Sequence, residues 1–113
     1  MKHILYFIFA FAIQNSFAQT WSGEVAEIFY QKCAKCHHQG GGGPFPLMSY
    51  SEASNMASSI YDAVYQGTMP PWPPSESSAE FLHDRSLEET EKTTILNWLT
   101  TGTPEGNPSE TPP

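Results

Sequence analysis

The sequence predicts an all-α fold of three main helices, and three observations carry that prediction. Apolar residues recur at steps of three and four in three separate stretches. Glycine and proline punctuate the ends of those stretches. No internal repeat and no pairing of alternating apolar and polar runs is visible.

The first helix is expected over residues 24–32, with Val25, Ile28, Phe29 and Lys32 on one stripe and Ser22 as N-cap. A loop follows: four glycines at 40–43, then Pro44 and Pro46, where the glycines let backbone approach a bulky neighbour. No Gly-Lys-Ser or Gly-Lys-Thr closes the run, which excludes a phosphate-binding loop. The second helix is expected over residues 51–66, about 24 Å long. Its stripe is Ala53, Met56, Ala57, Ile60 and Val64, and Gly67 stands at its C-terminal cap. Residues 68–74 hold four prolines in seven positions and read as a stiff extended loop. The third helix is expected to open at Ser86, reading Ser86-Leu87-Glu88-Glu89 as a capping box, and to end at Gly102. Leu87, Ile95, Trp98 and Leu99 form its buried stripe, with Glu91 or Thr94 at the margin. Residues 104–113 are rich in Pro, Glu, Ser and Thr without periodicity and are expected to form a disordered tail or linker.

The chain opens with Lys2, His3 and an apolar run over residues 4–13, then Ser16-Phe17-Ala18, with small residues where a signal peptidase reads. Residues 1–18 are therefore expected to be a secretory signal peptide, and ten apolar residues cover only half of the ~20 that a spanning helix needs. No stable membrane insertion is expected after cleavage, and no cysteine follows the cleavage point to carry a lipid. The mature part, residues 19–113, has four basic and twelve acidic side chains, a net charge of −8. Nucleic acid is excluded as a partner on that balance, and neutral or basic protein surfaces are expected instead. One small domain at residues 19–103 has limited capacity to bury a core, and two cysteines provide no disulfide framework.

Those two cysteines carry the chemistry. Cys33-Ala34-Lys35-Cys36-His37 has the spacing that attaches a c-type haem: two thiols join the porphyrin vinyl groups and the histidine ligates iron. Cysteines three apart share one side of a helical turn, and the next residue brings an imidazole under the metal. A closed zinc site would need four ligands, and the spare nitrogen donors are only His38 and His83. A thioredoxin-like dithiol would need a βαβ context, and a structural disulfide leaves His37 unexplained. A covalent haem would also supply the missing core volume. Its attachment requires thiols and haem to meet outside the cytoplasm, so the periplasm is the expected compartment.

An electron-transfer haem needs a second axial ligand, and the candidates are His38, His83, Met48, Met56 and Met69. Met69 is preferred because the flanking prolines restrict the thioether, lowering the entropy lost in holding it near iron. Met56 belongs to a helix stripe, and Met48 follows Leu47 at a loop end. His/Met ligation raises the reduction potential relative to His/His and fills both axial positions, which argues against oxygen activation.

The stretch from Ile28 to His37 resembles the N-terminal helix and haem site of class I cytochromes c, and residues 94–102 with Trp98 resemble the C-terminal helix of that family. A narrower resemblance is to small bacterial haem c domains with Met-Pro-Pro-Trp (residues 69–72), Phe-Leu-His-Asp-Arg-Ser-Leu (81–87) and Gly-x-Pro-Glu-Gly (102–106). Such domains stand alone or beside copper monooxygenase-like or thioredoxin-like domains. The resemblance implies a cytochrome c-like fold around one haem c, with Phe29 and Trp98 near the crossing of the first and last helices. It also implies that Pro44 or its neighbour gives a carbonyl to His37. The expected haem-binding set is Cys33, Cys36, His37, Met69, Pro44, Leu47, Trp72 and Arg85, with His37 and Met69 on the metal.

Asp84-Arg85 most simply forms the polar start of the last helix, with Arg85 pairing an acidic neighbour; the functional reading is that Arg85 grips a haem propionate with two bonds. Trp72 either covers the haem edge or packs the loop, and Lys32 and Lys35 are read as solvated lysines able to guide a partner. The expected function is a monomeric electron carrier rather than an enzyme, working with a redox protein such as a respiratory or copper oxidoreductase. The competing functions are a haem-based gas sensor, a haem domain serving an adjacent copper or thiol oxidoreductase, and a haem-free zinc module.

Overall fold

A computed structural model describes residues 18–71 and 82–113. The expected signal segment, except Ala18, and Trp72 lie outside the described residues. Among the described residues all regular structure is helical, and no helix is long and apolar enough to cross a membrane.

Helix α1 runs without interruption over residues 21–33, through Trp21–Val25, Ala26–Ile28 and Phe29–Cys33. Both end segments are wound wide, with bonds between residues five apart: the Ala26 amide donates to the Trp21 carbonyl and the Ala34 amide to the Phe29 carbonyl. The helix starts three residues before the expected Glu24. Its N-cap is Thr20, whose hydroxyl accepts from the Gly23 amide, and not Ser22, which is buried.

The earlier start brings Trp21 into the core, a residue that the apolar stripe did not reach. Trp21, Phe29 and Trp98 are almost completely buried and form a triangle with ring centroids 5.2, 5.8 and 5.9 Å apart. Val25 and Ile95 fill the space beside them.

The expected second helix is two helices, α2 (Tyr50–Asn55) and α3 (Ala57–Tyr65), meeting at Met56. Serine accounts for the break: Ser49 caps the Glu52 amide, while the Ser54 hydroxyl donates back to the Ser51 carbonyl and competes with the helix ladder. Ala53, Ile60 and Val64 of the expected stripe are buried.

Helix α4 (Glu89–Thr100) begins later than expected. The capping box is formed by Glu88 and Glu91, and the Glu88 amide donates to Glu91 Oε2 at 2.9 Å. Ser86 is unavailable as a cap because Asp84 takes its amide and hydroxyl and Lys32 takes its carbonyl. Helix α4 packs on α3 and on the first turn of α1.

Residues 104–113 correct the expectation of a disordered tail. The Pro104 carbonyl accepts from both the Trp21 amide (2.9 Å) and the Trp98 indole nitrogen (3.0 Å). The Glu105 carbonyl accepts from the amide and hydroxyl of Ser22 (2.9 and 2.7 Å). These carbonyls satisfy N–H groups that a helix start leaves without intrahelical partners. A 3-10 turn, Pro108–Glu110, follows, and the Thr111 hydroxyl reaches Ser22 Oγ at 3.2 Å.

Candidate haem-attachment site

Cys33 ends α1, and the chain turns immediately: the amides of Cys36 and His37 both donate to the Cys33 carbonyl (3.1 and 2.9 Å). This turn sets the two cysteines and His37 on one wall. Both cysteines are free thiols. Burial pushes the Cys33 thiol up to about 12, so it stays neutral at physiological pH.

The glycine loop closes over this turn. The Gly43 amide donates to the Cys36 carbonyl, and the Leu47 amide to the His37 carbonyl, both at 2.9 Å. A Cβ on Gly43 would lie 2.6 Å from His37 Nδ1, and one on Gly41 would lie 2.3 Å from the Cys36 carbonyl oxygen. The bulky neighbour expected for the glycines is thus the attachment sequence itself.

His37 Nδ1 lies 2.9 Å from the Phe45 carbonyl oxygen, and the Phe45 ring sits against the imidazole at 4.9 Å between centroids. The orienting carbonyl belongs to Phe45, the neighbour of Pro44. With its proton on Nδ1 directed to that carbonyl, the imidazole keeps Nε2 as a lone-pair donor, the tautomer that a metal ligand requires.

Helix α3 and its C-terminus line the same site, with Ser59, Ile60, Ala63 and Val64 on one helix face. Gly67 (φ +74°) ends α3 in a left-handed turn in which the Gly67 amide donates to the Val64 carbonyl (3.2 Å) and the Thr68 amide to the Ala63 carbonyl (2.9 Å). The Met69 amide donates to the same Ala63 carbonyl at 3.2 Å. Met69 is therefore tied to α3 by its backbone as well as restrained by the following prolines.

These residues line a cavity of about 440 Å³, within the ~300–1,000 Å³ usual for cofactor sites. Cys33, Cys36, His37, Pro44, Leu47, Met69 and Arg85 all line it. Trp72 is the one expected member outside the described residues. Sequence reasoning missed Phe45 and Ser59 as wall residues; for Ile60 and Val64, the apolar stripe was the available signal. Among the described lining residues the charged ones are Lys32 and Arg85, and no carboxylate faces the cavity.

Lys32 is not a solvated lysine. Its side chain is 16% exposed, donates to the Ser86 carbonyl at 2.9 Å and pairs with Glu91 at 3.6 Å, joining α1 to the approach of α4. Arg85 places Nη1 3.6 Å from Cys36 Sγ. Asp84 is held below the usual carboxylate range by the hydroxyl and amide of Ser86.

The donor set fits haem c. Two free thiols, an imidazole with its second nitrogen anchored, a thioether lining the same cavity and cationic side chains suit a flat, hydrophobic, dicarboxylate macrocycle. Zinc finds no equivalent cage: among the described residues no three His, Cys, Asp or Glu side chains converge as metal ligands.

Compared with known proteins, residues 23–84 match the model of the family described as cytochrome c oxidase, cbb3-type, subunit III, which covers just over half of the chain. No curated protein and no solved structure matches.

Proposed function

Because the chain belongs to the family of cytochrome c oxidase, cbb3-type, subunit III, we propose that it is a one-electron carrier whose single haem c is bonded to Cys33 and Cys36 and ligated by His37 and Met69. Haem-based electron transfer is the function that the family brings. Bound haem would supply an Fe(III)/Fe(II) couple. The observation that supports the finer reading is that Cys33, Cys36, His37 and Met69 line one cavity.

Each residue then has a definable task. Cys33 and Cys36 anchor the macrocycle, and thioether formation removes the thiol of Cys33 that burial holds neutral. Phe45 fixes the tautomer of His37. Ile60, Val64 and Leu47, all largely buried, exclude water. A site that keeps its ligands rigid and water out minimises rearrangement when the charge changes, which suits outer-sphere transfer.

The signal-like segment at residues 1–18 supports a periplasmic location. The partner class is a redox protein, such as a respiratory or copper oxidoreductase, that exchanges an electron with a monomeric domain. The competing reading is a haem-based gas sensor in which Met69 leaves the iron.

The test is an absorption spectrum of the protein matured with c-type haem machinery, ferric, ferrous and then with carbon monoxide, for wild type and Met69→Ala. The carrier reading expects a covalent low-spin haem that ignores the gas until Met69 is removed. Ready binding by wild type would favour the sensor, and no covalent haem under competent maturation would overturn both.

A further inference from the structure

Arg85 occupies a constrained position. On one side Asp84 Oδ1 accepts from the Ser86 amide (2.7 Å) and hydroxyl (2.6 Å). The Ser86 carbonyl in turn accepts from Lys32 Nζ (2.9 Å), which lies one residue before Cys33 on α1. Lys32 also pairs with Glu91, a member of the capping box of α4. Residues 84–86 therefore form a strap fastened to α1, and the Arg85 side chain extends from it to the cavity, with Nη1 3.6 Å from Cys36 Sγ.

The identity of that sulfur decides what the guanidinium does. Cys36 Sγ is the atom that bonds a vinyl-derived carbon, so it marks the attachment edge of the macrocycle. Vinyl and propionate groups sit on different pyrroles, in opposite halves of the ring. A guanidinium against Cys36 thus puts a positive charge at the attachment edge.

We propose that Arg85 sets the reduction potential from the attachment edge, its charge favouring the ferrous over the ferric state. The proposal rests on the haem reading above. Reduction adds one electron to the iron and requires no proton from Arg85, which stays charged across the whole working range. Arg85 is exposed, so its charge acts on the ring through short distance to the attachment edge, and salt screens part of the interaction.

The experiment is a spectroelectrochemical titration of the holoprotein for wild type, Arg85→Gln, Arg85→Glu and Arg85→Lys, with proton NMR of each ferric form. The expected result is a lower midpoint potential for Gln, a still lower one for Glu and recovery of most of the shift by Lys. The low-spin spectrum should be retained, and NMR shifts should be confined to the Cys36 β-protons and the ring methyl beside that thioether. An unchanged potential in both Gln and Glu variants would overturn the proposal. So would a new pH dependence of the potential with NMR shifts centred on the propionate half of the ring, which would return Arg85 to a propionate. Wild type without covalent haem would instead fail at the underlying function, and is seen before any variant is compared.

Discussion

At the scale of single residues, the site is governed by which atoms are kept from water. Cys33 closes α1, and burial pushes its thiol from 9.0 up to about 12. A folded-state value above the unfolded one means that the thiol form contributes stability fully below pH 9.0. That contribution is lost as pH rises from there through about 12, because the unfolded chain releases its proton first. The haem-free protein should therefore lose stability across this alkaline window relative to its Cys33→Ala variant. Haem attachment should abolish the difference, since a thioether has no proton to lose. Denaturant melts of haem-free wild type and variant at pH 8 and pH 10 measure it; parallel behaviour at both values would contradict the buried thiol.

His37 and Gly43 illustrate what sequence can reveal at this scale. The Cys-x-x-Cys-His spacing marked His37 directly, because ligand chemistry constrains residue type and interval together. The contact of Gly43 with the imidazole was legible only as a permissive glycine run, since nothing in four consecutive glycines says which of them meets a ring.

At the scale of elements, the decisive feature is how α3 delivers Met69. The turn at Gly67 reverses the chain so that the Ala63 carbonyl accepts from Thr68 and Met69 together. Gly67 has φ +74°, and a Cβ there would meet nothing within 4 Å, so Gly67→Ala tests backbone conformation free of steric clash. A left-handed alanine costs about 1–2 kcal/mol, partly offset by about 0.4–1 kcal/mol of reduced freedom in the unfolded chain. The variant should be destabilised by about 1 kcal/mol, and the ferrous form should bind carbon monoxide several-fold faster than wild type. Stopped-flow mixing measures the second effect; a stability loss with unchanged gas binding would show that the turn does not hold Met69.

Element boundaries were less legible than element existence. The break at Met56 depends on serines whose hydroxyls compete with backbone, an effect that apolar periodicity ignores. The start of α4 turned on two glutamates, Glu89 and Glu91, each three residues after a possible cap, Ser86 and Glu88. The hydrogen bonds of Asp84 and Lys32 to Ser86 chose between them.

At the scale of the whole molecule, the ends of the domain fold onto each other. This was scarcely legible beforehand, because the final segment docks through its carbonyls rather than through an apolar stripe, and carbonyls carry no residue-type signal. Pro104 and Glu105 together receive the amides of Trp21 and Ser22 and the indole of Trp98, and the Tyr50 hydroxyl donates to the adjacent Thr103 carbonyl at 2.9 Å. The segment therefore completes the aromatic triangle that fixes the crossing of α1 and α4, and through α1 it supports the attachment turn at Cys33. Truncation after Thr103 removes four bonds from buried donors, those of the Trp21 amide, the Trp98 indole and the amide and hydroxyl of Ser22. At about 0.5–1.5 kcal/mol net for each bond, the loss is about 2–6 kcal/mol. For a domain of this size 1 kcal/mol lowers Tm by about 4–8 °C, so the truncated holoprotein should melt more than about 8 °C below the intact one. Trp98→Phe, which keeps the ring but deletes the indole donor, should produce a fraction of that drop. Far-UV circular dichroism melts of the three proteins provide the measurement. Coincident melts of truncated and intact protein would mean that water replaces the carbonyls without cost, and that the final segment is not a structural part of the haem domain.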